Sequence, residues 1–546
     1  MLIEKIIFNG IRILIPVLAL VSPVIATTHD VDPDGSGDYP DIQSAITAAA
    51  PADTVLLLPG TYTGVGNRLL DFDGKDIVLL GRDGPENTII DCEYQEVAFY
   101  FHSNETALAR VQGLTITQGS GNVVSLGASI LCNDASPTLT DLIIQHGEAD
   151  GGGAGMYLRD SSSLVDDIRF LSNTAGMGGG GIKVSHCSPT IRNCYFSGNI
   201  AYNQGGAIYI STNSDPFIED CIFEDSGAGY EGGAIYMVAI APTIRRCDFV
   251  RNEGRRGGAI YIGEAAPHIL DCTFAGNHTF GAGGTLFFNI DPPEGQAVIE
   301  SCLFHENTGL YGGTGIVCTE GAKPLLSNLT IVGNYGSTMN GAGISSFVQA
   351  NPVIENCIVA NNDGPGIYVG GTADVTINCS NVVGNTEGDY YGNILNQTGL
   401  NGNISEAPLF CDYDNWVLTL AEQSPCLPEN NDCGVLMGAL GMDCTLTDVS
   451  EVPGYGVQLL PCFPNPFNPH TTISLHVEDP AMVRITIHDV TGRQIRILHE
   501  GWHEAGHRDL TWNGLDEAGK DAPSGIYFVV LDGPAGRSSQ KITLLR

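Results

Sequence analysis

The chain has 546 residues, enough for several average domains or for one long repetitive body. Its 70 glycines show no every-third-residue spacing, which excludes collagen, and 43% hydrophobic residues exclude a disordered chain. The net charge of −38, with most of the excess in the first 450 residues, excludes nucleic acid as a natural partner and leaves divalent cations and neutral or cationic partners open.

In chain order, residues 1–26 read as an export signal. Lys5 and Arg12 precede an apolar run from Ile13 to Ile25 that closes on the small Ala26, and Pro16 and Pro23 argue against a spanning helix. Asp30, Asp32, Asp34, Gly35, Asp38 and Asp41 then match the spacing of a helix-flanked calcium loop. The flanking helices are missing and the last position lacks the bidentate glutamate. Two readings stand here: a Ca²⁺ site on Asp30, Asp32, Asp34 and Asp38, or plain turn residues. The segment DIQSAITAAAPADT predicts a short amphipathic helix, followed by TVLLLPGTY as a first strand.

From about residue 110 a repeat of about 26 residues dominates. PTIRNCYFSGN, PFIEDCIFEDS, PTIRRCDFVRN, PHILDCTFAGN and AVIESCLFHEN alternate with QGGAIYI, EGGAIYM and RGGAIYI. The period is too short for a propeller blade and lacks helical spacing. It fits two or three short strands with glycine or asparagine corners, each pairing with its equivalent about 4.8 Å above and below. The predicted fold is therefore all-β: a right-handed parallel β-helix, or solenoid, of about a dozen coils. Phe196, Phe223, Phe249, Phe274 and Phe304 form its inward stack. Asn173, Asn199, Asn252, Asn277, Asn307, Asn334 and Asn362 sit at a bend, bonding backbone and one another.

The cysteine slot runs Cys194, Cys221, Cys247, Cys272, Cys302, Cys357 and Cys379, with Leu114, Leu142, Ile168 and Leu329 in the same place elsewhere. Free exchange with aliphatics predicts buried thiols, and one thiol per coil gives no tetrahedral metal set.

In GGAIY the tyrosine is expected to point outward. Tyr157, Tyr209, Tyr236, Tyr261, Phe287 and Tyr368 would line one exterior face, and corner loops add Tyr202, Tyr230, Phe280, Tyr311 and Tyr335. Such a stripe suits stacking on sugar rings or a partner protein; the plainer alternative is that the rings pack on one another. Asp160, Asp166, Asp167, Arg169 and Lys183 are the remaining chemical cluster. Adjacent carboxylates with a lysine suit acid/base work, but Asp166 and Asp167 occupy ordinary outward positions, so a solvated charged face is the competing reading.

The opening GSGDYPDIQSAI…TVLLLPGTY resembles pectinesterases and other right-handed parallel β-helix proteins, and GGAIY alternating with FxxN resembles the polymorphic outer-membrane protein repeats. The resemblance spans roughly residues 30–410 and implies the pectin lyase fold, not an activity, because that fold hosts lyases, hydrolases, esterases and adhesins alike. Neither Gly-His-Gly nor the polygalacturonase Asn-Thr-Asp arrangement occurs.

Past residue 400 the repeat fades and Cys411, Cys426, Cys433 and Cys444 crowd together. They allow three pairings, of which Cys426–Cys433 with Cys411–Cys444 is preferred, closing a cap over the last coil. The solenoid with its caps is placed at 27–447, a linker at 448–458 and a small β-sandwich at 459–546. The last segment carries PNPFNP, Trp512-Asn513-Gly514, Asp516, Gly519, Ser524-Gly525-Ile526-Tyr527 and a basic end from Lys541 to Arg546. It resembles the Ig-like domain of flagellar hook-capping proteins and the C-terminal sorting domain of type IX secretion cargo. That likeness implies export through the outer-membrane secretion machinery to the cell surface or medium. The sequence thus points to a secreted or surface-held, non-enzymatic protein that binds polysaccharide or a surface partner. The alternative is a polysaccharide lyase or glycoside hydrolase working in a groove of the helix.

Overall fold

The computed structural model describes residues 26–444, apart from 122–126, 128, 212, 282, 293, 310–312 and 337–340. It also describes strand pairs at 6–8 and 11–13, and most of 457–544. The expected export signal, the linker, Tyr311, and Pro464, Pro466 and Asn468 of PNPFNP fall wholly or largely outside the described residues. The chain forms two compact units, Met1–Thr445 and Leu446–Arg546.

The first unit is a parallel β-solenoid. After a first strand, Thr28–Val31, comes helix α1 (Ile42–Ala48), whose N-cap Asp41 accepts a hydrogen bond from Ser44 N at 2.7 Å and whose Ile42, Ala45 and Ile46 are buried against the first coil. A representative coil runs through β1 (Thr190–Arg192), β2 (Tyr195–Ser197), β3 (Ile200–Ala201) and β4 (Ile208–Ile210). Each strand pairs in parallel with its equivalents one coil away, as Ile191 with Ile218, Ile218 with Ile244 and Ile244 with Ile269. The β4 column forms a 12-stranded sheet and the β3 column an 8-stranded one.

Corners follow from backbone chemistry. The residue before each cysteine slot takes a left-handed conformation, including Asp167 (φ 54°), Asn193 (φ 53°), Asp220 (φ 53°) and Asn356 (φ 56°), so short polar side chains that tolerate it recur there. At the glycine corner Gly205 has φ +61°, and a Cβ would lie 2.2 Å from Ile208 O. No side-chain-bearing residue fits.

Three buried columns fill the interior. The phenylalanines from Phe170 to Phe304 stack with centroids 4.6–4.8 Å apart, one strand spacing. Asn173 to Asn385 form an amide ladder in which Nδ2 of one residue donates to Oδ1 of the next at 2.8–3.0 Å. Ser226 interrupts it, with its N–H on Asn252 Oδ1 at 3.1 Å. The cysteines of the third column are reduced and buried, and burial pushes the thiols of Cys221 and Cys272 well above their ordinary range.

One member of that column is corrected. The slot above Cys357 is Ser380, whose hydroxyl accepts from Cys357 N. Cys379 occupies the left-handed corner (φ 47°), where the side chain points out of the core.

It bonds instead to Cys433, and Cys411 bonds to Cys444. The expected Cys426–Cys433 pairing is therefore overturned. Cys426 is fully buried among Leu418, Leu420 and Met437, and its thiol is raised by burial to about 11. The cap laces onto the flank of the last coils through Asn328 Nδ2 to Leu436 O (2.8 Å), Ala439 N to Thr330 Oγ1 (3.0 Å) and Gly438 N to Asn356 O (2.7 Å).

The second unit is a small antiparallel sandwich. Strands 457–459, 471–477 and 506–512 form one sheet, and 494–503, 481–489, 525–533 and 536–544 the other. Their alternating inward residues, among them Ile473, Leu475, Ile485, Ile487, Val529 and Ile542, pack around Trp512. The Trp512 indole N–H donates to Leu515 O at 2.9 Å, which satisfies its one polar atom in the core.

Candidate functional site

The acidic cluster does not assemble as a catalytic pair. Asp166 accepts from Arg192 and from Asn193, each at 2.8 Å, both one coil above, while Asp167 is an exposed corner residue. Those bonds hold the Asp166 carboxyl below its ordinary pKa against the opposing effect of partial burial. Asp160 pairs with its neighbour Arg159, and Arg169 with Glu86. Lys183 lies on a different sheet, in the column of β4, its ammonium 5.2 Å from the Tyr157 ring and 5.6 Å from the Tyr209 ring. Burial lowers its pKa, and it makes no ion pair among the described residues.

Inter-coil ion pairs recur further along the outer face of β1 and β2. Arg245 and Arg246 clamp Glu219 and Asp220 one coil below at 2.7–2.9 Å, and Arg251 holds Asp225 at 2.9 Å. These carboxylates are spent on inter-coil pairing.

Three of the four aspartates expected to hold Ca²⁺, Asp32, Asp34 and Asp38, are turned onto backbone. Asp32 accepts from Asp34 N (3.2 Å), Asp34 from Ser36 N (2.8 Å), Asp38 from Asp30 N (3.2 Å), and Asp41 caps α1. Among the described residues no group of three or more His, Cys, Asp or Glu side chains is gathered as a metal would need.

The aromatic stripe is real but closed. Tyr209, Tyr236, Tyr261 and Phe287 stack face to face at 5.1, 5.2 and 5.6 Å, so their ring faces are occupied by one another. Tyr157, Tyr236, Tyr261 and Phe287 are only 5–9% exposed. The glycine corner covers their edges: a Cβ on Gly178 would lie 2.5 Å from the Tyr209 ring, and one on Gly283 2.6 Å from Phe287. Burial raises the hydroxyl pKa of Tyr209, Tyr236 and Tyr261. Of the expected open platform on Tyr157, Tyr209, Tyr236, Tyr261 and Phe287, the last four form a stacked ladder and Tyr157 lies beside the Lys183 ammonium. Tyr236 and Tyr261, with a ring on both faces, have none left for a sugar.

Accessible aromatics occur instead at the corner. Tyr202 is 68% exposed and Tyr230 50%. Along the β4 column the ladder ends above Phe287, because the column shrinks to Val317 and then to Ser345. The recess left above Phe287 is a cleft of about 340 Å³ lined by Arg255, Arg256, Phe287, Asn289, Thr319 and Glu320.

Arg256 is tied to Glu231 at 3.1 Å, and its guanidinium lies 5.8 Å from the Phe287 ring centroid. Asn289 Nδ2 donates to the Tyr261 hydroxyl at 2.9 Å. Arg255 is exposed, lies 6.0 Å from the Tyr230 ring centroid, and has no ion pair among the described residues.

The contrast between the two arginine pairs is a matter of register. One coil below Arg245 and Arg246 are carboxylates. One coil below Arg256 is Glu231, but Arg255 stands over Tyr230. The cleft was missed in the sequence because its residues come from three coils. The available signal was an arginine whose counterpart about 26 residues earlier is aromatic rather than acidic.

With this geometry in view, comparisons with known proteins are consistent with the two units. The family model described as right handed beta helix region matches residues 128–289 and 283–404, and that of the FlgD Ig-like domain matches 467–535. No curated protein matches the chain.

Proposed function

The chain belongs to the right-handed β-helix family, which its matched residues 128–404 cover over just over half its length, and it carries a FlgD Ig-like domain; from that premise we propose that it is an exported, non-enzymatic binding protein for polysaccharide or a surface partner. The observation that carries the reading is the contrast between two flanks of the solenoid. On one, Asp166, Glu219, Asp220 and Asp225 are locked in inter-coil ion pairs. On the other, Tyr202 and Tyr230 are exposed, and the Tyr230 ring lies beside Arg255, which lines a polar cleft. Exposed aromatic faces with a few convergent polar groups on a rigid scaffold suit ligand capture.

Export rests on residues 1–26 and on the C-terminal module 459–546. The Trp512-Asn513-Gly514 and Ser524-Gly525-Ile526-Tyr527 motifs and the basic end of that module are the features shared with type IX sorting domains. The assignment to the outer-membrane secretion machinery is part of the proposal. Incubation with uronic-acid and neutral polysaccharides, followed for both retention and new reducing or unsaturated ends, tests the whole reading. Retention without turnover is expected. Turnover would replace it with a lyase or glycoside hydrolase.

A further inference from the structure

We propose that the cleft lined by Arg255, Arg256, Phe287, Asn289, Thr319 and Glu320 is a subsite for an acidic sugar, whose carboxylate or sulfate sits on the Arg255 guanidinium beside the Tyr230 ring. This rests on the reading of the chain as a polysaccharide-binding protein and narrows it to one chemical class.

Three observations converge. First, Arg255 is an exposed cation without an ion-pair partner among the described residues, on a chain of net charge −38 where the neighbouring arginines Arg245, Arg246, Arg251 and Arg256 are all paired. A guanidinium fork takes a carboxylate or sulfate through two parallel hydrogen bonds. Gly281 stands one coil above it, where a Cβ would lie 2.4 Å from Arg255 Cγ, so only glycine leaves that side chain its place.

Second, the far side of the cleft supplies what sugar hydroxyls need: the Thr319 hydroxyl and the Glu320 carboxylate as acceptors, with the Asn289 amide already oriented by Tyr261. Glu320 also repels a doubly charged phosphate more than a singly charged group. Third, about 340 Å³ is at the small end of the range for ligand pockets, roughly 300–1,000 Å³, and suits one or two sugar rings. Tyr230, 50% exposed and with its ring beside the Arg255 guanidinium, offers a stacking surface next to it.

The test is calorimetric binding of the full chain to alginate tetramers, carrageenan tetramers and cellotetraose, which present carboxylate, sulfate and neither. The acidic tetramers are expected to bind about tenfold tighter than cellotetraose at low salt, with the advantage shrinking as salt rises. The ranking of alginate against carrageenan identifies the anion. Arg255→Ala removes that advantage; Arg255→Lys retains part of it; Arg245→Ala, on the outer face of the β1 column, changes nothing. Unchanged far-UV circular dichroism certifies the fold of each variant. Equal affinity for cellotetraose, or wild-type binding of acidic tetramers by Arg255→Ala, overturns the subsite while leaving polysaccharide binding standing. Failure to bind any saccharide overturns both.

Discussion

Asn277 is the best single place to test the stacking logic of the solenoid. Its side chain is fully buried and makes four hydrogen bonds across three coils. Nδ2 donates to Phe249 O at 2.8 Å and to Asn307 Oδ1 at 2.9 Å, while Oδ1 accepts from Asn252 N and Asn252 Nδ2, each at 3.0 Å. At about 1 kcal/mol net per hydrogen bond, Asn277→Ala loses about 4 kcal/mol, and the groups left unpaired in the core raise that further. Asn277→Asp keeps the volume but sets carboxyl oxygen against Phe249 O and Asn307 Oδ1, so it separates hydrogen bonding from cavity formation.

Because each coil touches only its neighbours, the damage is local. Hydrogen exchange followed by mass spectrometry should show faster exchange in peptides covering residues 245–310 and unchanged exchange near residue 140. The wild-type Ser226 step, where the ladder is already interrupted, is the internal reference. A loss below about 1 kcal/mol, or a loss spread evenly along the chain, would refute the argument that the ladder stabilises the stack coil by coil.

Phe223→Ala opens a hole between Phe196 and Phe249, each 4.8 Å away, and should cost about 3–5 kcal/mol, read as a lowered denaturant midpoint. Under denaturing, non-reducing conditions a thiol reagent should titrate the 12 free cysteines at once, and in the native state almost none, since all are buried. Replacing Cys379 and Cys433 by serine removes a crosslink across 54 residues, worth at most about 4 kcal/mol by chain entropy, and should make the cap protease-sensitive before the solenoid. Asp53 is held at about 2 against an ordinary 3.8, chiefly by the His29 side chain and then by Thr27 N and Ala50 N. A lowered carboxylate pKa stabilises the fold above the unfolded value, so the N-terminal cap should loosen as pH falls from about 4 to about 2. Amide exchange of residues 27–54 against pH checks this, and Asp53→Asn should flatten the response in that window.

The period of about 26 residues already contained the fold. Strand pairing in register forces identical positions into columns, so Phe196, Cys194 and Asn199 could be placed on the core without coordinates. Where the period stumbled the reading slipped as well. The short step after Cys357 moved the core slot to Ser380 and turned Cys379 outward, which decided the Cys379–Cys433 disulfide. The candidate site was less legible. Alternation put the GGAIY tyrosines outside but carried no information on what lay over them, and the glycine corner and their own stacking close that face. Asp166 and Lys183 are 17 positions apart in the chain yet on different sheets, while Arg255, Asn289 and Glu320 converge from three successive coils. Repetition along the chain thus determines which residues share a column. Which columns face each other depends on the cross-section of the coil, and only the folded backbone sets that.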